Sequence, residues 1–134
     1  MSGIEIIKHN GKVYAMVIRK NLKIDGTKFL TSQDSPFQIG VHLKNKGSVI
    51  EPHIHKKSIR VIKETLEFLH VDYGKLEAVI YDEKKRRIKT VILKGGDSLL
   101  AVRGGHGFKA LGKTKITEVK QGPYVDVKAD KTYL

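Results

Sequence analysis

The chain has 134 residues, no cysteine and a formal net charge of +12, from 26 Lys and Arg against 14 Asp and Glu. That length allows one domain, expected to span 1–134, with a core large enough to fold without covalent staples. The absence of cysteine excludes disulfides, thiolate zinc sites, iron–sulfur clusters and cysteine nucleophiles, so a metal would have to be held by nitrogen and oxygen.

In chain order, Ile4–Ile7 and Val13–Ile18 read as two strands, with the turn signal Asn10-Gly11 between them. Phe37–Leu43 reads as a third. Further on, Thr65–Val71 and Leu76–Tyr81 flank Tyr73-Gly74, and Ile88–Leu93 and Ser98–Val102 flank Gly95-Gly96. Ile116–Val119 is the last. Alternation is clean in Leu76, Ala78 and Ile80, which would share one face of a strand. The run 58–64 is open between a turn of helix and an extended loop. No stretch of ten residues carries a helical stripe, so the chain reads as all-β, a sandwich or a closed barrel.

Lysines are spread along the whole chain, so the charge reads first as a solubilising surface that also draws in acidic small molecules. The basic run Lys84-Lys85-Arg86-Arg87 lies between two strands and reads as a solvated hairpin tip. Nucleic acid is not favoured, because aromatic residues are only 7% and no nucleic-acid motif accompanies the charge. No apolar run approaches the ~18 residues needed to span a bilayer. The opening residues Met-Ser-Gly-Ile-Glu carry no secretory pattern, and a cytoplasmic location is the expectation.

Three segments carry potential chemistry. In Gly47-Ser48-Val49-Ile50-Glu51-Pro52-His53-Ile54-His55, two histidines one residue apart would share a strand face, as a metal needs. Glu67 stands in an otherwise apolar strand, where a carboxylate is costly unless paired or ligating. Glu64 rivals it, but Glu67 lies deeper in the apolar run. His106 is bracketed by Gly104-Gly105 and Gly107, which let the backbone turn sharply. Histidines and one carboxylate form an N/O site suited to divalent Fe, Mn, Ni, Co or Zn. His42 and His70 would fall on faces away from this set, and His9 beside a turn. Arg60 and Arg103 are candidate substrate contacts, since a guanidinium binds carboxylate or phosphate with two hydrogen bonds.

These segments resemble the cupin superfamily. Its first motif runs glycine, five residues, His-x-His, a spacer, glutamate, six residues, glycine. Gly47, His53 and His55 fit, and Glu67 and Gly74 fit, with eleven residues between His55 and Glu67 where three or four are usual. The second motif begins at Gly96 and includes Gly104, with Val102 in place of proline, His106 one residue early and Ala110 near the place of the usual asparagine. The likeness covers about residues 37–111. It implies a single-domain cupin β-barrel, a double-stranded β-helix of jelly-roll type, with His53, His55, Glu67 and His106 as ligands of a divalent metal ion. The chain also looks like small cupins of polysaccharide and nucleotide-sugar synthesis. The implied function is a metal-dependent isomerase or epimerase acting on a small acidic or sugar-derived substrate. An Fe(II) dioxygenase and a non-enzymatic metal- or sugar-binding module are the alternatives. No catalytic base can be named from the sequence. A homodimer is expected, because small barrels often pair by their edges.

Overall fold

The computed structural model describes residues 2–134. Strands make up 43% of the chain and helix 3%, so the fold is all-β. The chain divides into two compact units, Met1–Leu22 with Glu64–Leu134, and Lys23–Lys63.

The larger unit holds two antiparallel sheets. In the first, β1 (Ile4–His9) turns back at Asn10-Gly11 into β2 (Lys12–Ile18), and both turn residues have positive φ. That geometry matches the right-handed twist of the paired strands. Next to β2 lies β8 (Ser98–Ala101), then β5 (Glu67–Tyr73), then β10 (Lys115–Lys120) at the far edge. The second sheet has β6 (Lys75–Tyr81) at its centre, flanked by β7 (Arg87–Lys94) and β9 (Gly105–Ala110). Neither sheet closes on itself.

The two sheets share one core. Ala15, Val17, Leu69, Val71 and Leu99 come from the five-stranded sheet, and Leu76, Ala78, Ile80, Val91 and Leu93 from the three-stranded one. Leu76, Ala78 and Ile80 are fully inside, as their alternation predicts. The run 84–87 is the β6–β7 connection, with Lys85 at positive φ, and Asp82 satisfies it by accepting from the backbone N–H of Lys84 and of Arg86. After β10 the chain enters a four-residue helix, α1 (Val127–Asp130), capped by Asp126. Among the described residues no helix is long and apolar enough to cross a membrane.

In the smaller unit, β3 (Thr27–Phe29) pairs with β4 (Gly40–His42). The expected strand over Phe37–Leu43 is therefore only three residues long. Residues 43–63 form no helix or strand. The sequence reading put the His-x-His pair on a strand. The pair instead lies in this irregular run, where Pro52 offers no N–H to a ladder.

Candidate metal and substrate site

The pairing of β5 with β10 sets Glu67 opposite Lys120 and Leu69 opposite Glu118. Strand alternation then places Glu67, Leu69 and Val71 on one face with Ile116, Glu118 and Lys120. Leu69 and Val71 are buried in the shared core, so this face looks inward. In the other sheet, β9 pairs with β6 so that His106 lies opposite Ile80 and Phe108 opposite Ala78. Ile80 and Ala78 point into the core, and their cross-strand partners share that direction. Two polar side chains from different sheets therefore meet: Nε2 of His106 lies 3.2 Å from Oε2 of Glu67.

Gly104 makes the approach to β9 possible. Its φ is +70°, and a Cβ there would run into the carbonyl oxygen of Tyr81 and the ring of Tyr14. The cavity at this point has a volume of about 670 Å3. Thr65, Glu67, Leu69, His106, Phe108, Glu118 and Lys120 line one part of it, and the tail from Asp130 to Leu134 another. Nζ of Lys120 holds the tail through Oδ2 of Asp130 at 3.1 Å and sits 5.1 Å from the centre of the Tyr124 ring.

Burial alone would push the Glu67 carboxyl up. Hydrogen bonds from His106 and Glu118, and the nearby charges of His106 and Lys120, outweigh it and hold the group at about 2. Glu118 moves the opposite way. Its hydrogen bond to Glu67, its burial and the negative charge of Glu67 all raise it. Glu67 is thus a fixed anion at neutral pH, and Glu118 is the carboxyl that more readily takes a proton.

His106 and Glu67 supply one nitrogen and one oxygen donor, ligand types that a divalent cation takes. Two N/O ligands at ~2.1 Å from a common ion and ~90–110° apart are separated by ~3.0–3.4 Å, which brackets the Glu67–His106 distance. His53 and His55 form a second pair, their ring centres 5.0 Å apart. Nδ1 of His53 donates to the backbone oxygen of Glu51 at 2.7 Å. A carbonyl only accepts, so Nδ1 carries a proton. Among the described residues no three His, Cys, Asp or Glu side chains gather into a metal-holding group.

The remaining candidates fall elsewhere. His70 binds Oγ of Ser98 at 2.8 Å on the opposite face of β5 from Glu67. His42 contacts the Thr27 hydroxyl at 3.0 Å on the exposed β3–β4 pair. Nε2 of His9 lies 3.6 Å from Asp82, beside the β1–β2 turn. Glu64 is exposed. Arg60 is exposed in the irregular run. Arg103 is exposed too, and its Nε donates to the carbonyl of Val13 at 2.9 Å. The sequence reading did not single out Glu118, Lys120 or Asp130.

Compared with known proteins, the chain matches no family model, no curated protein and no solved structure.

Proposed function

We propose that the chain is a metal-binding cupin, an enzyme of isomerase or epimerase type acting on a small acidic or sugar-derived molecule. The observation that carries this reading is the 3.2 Å approach of His106 to Glu67 inside an open cavity. In this reading those two residues are ligands of the metal. The two facing sheets of the larger unit are then the two halves of a jelly-roll barrel.

When bound, a divalent cation supplies Lewis acidity that polarises a substrate oxygen. The chain's own residues do the rest. Glu67, ionised at neutral pH, contributes negative charge to the ligand set. Glu118 lines the same cavity and is the group placed to give or take a proton at the substrate. Phe108 and Leu69 form an apolar wall beside it.

Cobalt(II) tests the reading, because its visible bands report N/O coordination. The purified chain should take up one equivalent per protomer, and His106→Ala and Glu67→Gln should each abolish the bands while the far-ultraviolet spectrum stays that of a β-protein. Wild-type protein without bands at millimolar cobalt would overturn the reading.

A second reading rests on the same contact. An imidazole held by a carboxylate is also a metal-free acid–base pair, with His106 as the base that Glu67 orients. Full activity after exhaustive chelation would select it.

A further inference from the structure

The run 122–134 brings the chain back to the cavity that holds Glu67 and His106. Lys131, Thr132, Tyr133 and Leu134 line that cavity together with Asp130. Little apolar burial keeps them there. The helix α1 has no buried residue, and Tyr124, Val125, Val127, Tyr133 and Leu134 are all exposed. The backbone hydrogen bonds of the run, from Asp130 to Asp126 and from Lys131 to Val127, stay inside it. Among the described residues, its one hydrogen bond to the strands runs from Nζ of Lys120 to Oδ2 of Asp130. A segment with so few buried contacts opens at low free-energy cost.

The contact that holds it is better shielded than the run itself. The side chains of Lys120 and Asp130 are 23% and 16% exposed. Lys120 pairs with Asp130 rather than with the carboxylates beside it, since Glu67 is met by His106 instead. The bond to Asp130 also holds the Lys120 ammonium above its usual value, so it is fully charged at neutral pH. What Asp130 offers this cation is a carboxylate, the group that an acidic small molecule carries. A neutral hydroxyl would compete poorly, because hydrogen bonds between charged partners are about twice as strong as neutral ones.

We propose that Lys120 is the anion-binding residue of the cavity and that Asp130 occupies it as an internal stand-in, so that an incoming carboxylate or phosphate displaces Asp130 and frees the tail. The exchange swaps one ion pair for another and never leaves the ammonium unpaired. It rests on the reading above that the cavity takes a small acidic molecule, and not on the metal.

Inorganic phosphate and the full chain test it. A tail closed about nine-tenths of the time lowers apparent affinity about tenfold, so Asp130→Asn should bind phosphate about tenfold more tightly than the wild type, read by titration calorimetry. Lys120→Gln should lose most of the affinity, and in Lys120→Gln/Asp130→Asn the gain should vanish. A gain that survives without Lys120 would be the general effect of one negative charge fewer, and it would overturn the proposal. An Asp130→Asn variant with wild-type affinity would overturn it too.

The tail is followed at Gly105. A Cβ there would lie 2.9 Å from Cδ1 of Leu134, so the Gly105 amide senses that side chain. In nuclear magnetic resonance spectra of the wild type, phosphate should move this signal towards its position in phosphate-free Asp130→Asn. Phosphate that binds and leaves the signal in place overturns the exchange. No metal enters these measurements. Tail release by phosphate in a chain without cobalt(II) bands would sink the metal reading and leave this one standing. Cobalt bands beside a phosphate affinity indifferent to Asp130 would do the reverse.

Discussion

His106 and Glu67 are 39 residues apart in the chain and belong to different sheets, yet their side-chain atoms lie 3.2 Å apart. Neither residue has a local reason to be there. Glu67 is placed by its register with β8 and β10, and His106 by its register with β6. The contact depends on the two sheets keeping their separation, and the core between them fixes that.

Substitution at this contact should separate binding from folding. Losing a residue that merely orients a metal ligand typically costs about 10–100-fold in affinity, so loss of a direct ligand should cost more than about 100-fold. Glu67→Gln is nearly isosteric and should lower cobalt(II) affinity by at least that factor, read by titration, with the far-ultraviolet spectrum still that of a β-protein; the urea midpoint at pH 7 should also fall, because the fold favours this carboxylate.

The core prediction concerns Leu99. It is fully buried in β8, the central strand of its sheet, between β2 and β5. Leu99→Ala should cost about 2–5 kcal/mol through lost burial and the cavity left behind. Urea unfolding at neutral pH measures it.

How much of this was legible beforehand depended on whether a segment's role was local. Leu76, Ala78 and Ile80 announced their buried face because every second residue is apolar and the strand is central. Glu67 stood out as a lone carboxylate in an apolar strand, which needs a partner, and the structure sets His106 beside it. β9 was not recognised, because its glycines and Lys109 dilute the apolar pattern and its pairing with β6 is long-range. The His-x-His run failed as a strand for a different reason: a strand needs a neighbour, and residues 43–63 pair with none. Glu118 was overlooked because an edge strand can turn either face inward, and only its register with β5 decides which.

Asp97 should control acid stability. Its Oδ1 accepts from the backbone N–H of Lys20, and its Oδ2 from that of Lys94 and from Arg19, at 2.9–3.1 Å. Burial pushes the carboxyl up, but these backbone bonds and the Arg19 guanidinium outweigh it and hold the group below its usual value of 3.8. A depressed folded-state value means the stabilisation is full above the unfolded value and fades as pH falls through the folded one. Asp97→Asn should therefore cost about 1.5–3 kcal/mol at pH 7. Its gap to the wild type should narrow below pH 3.8, read from urea midpoints at several pH values.

The glycines make a paired prediction. Gly104→Ala places a Cβ against the Tyr81 carbonyl at a φ of +70°. It should cost at least about 1–3 kcal/mol from backbone strain alone. It should also weaken cobalt(II) binding, because Gly104 sets the course of β9 towards His106. Gly112→Ala meets nothing within 4 Å and should shift the melting temperature far less. Thermal melts of the two variants side by side give the comparison.

Charge acts on this molecule at two ranges with opposite sign. At a distance the surplus of twelve positive charges governs, and it beckons anions. Within the recess the balance reverses, since Glu67, Glu118 and Asp130 outnumber Lys120 and Lys131. Salt erases the far field, whose reach is only ~8 Å at physiological ionic strength, and leaves close-range attraction largely intact. Raising ionic strength should thus slow the arrival of acidic small molecules much more than it loosens a small cation already seated between the sheets.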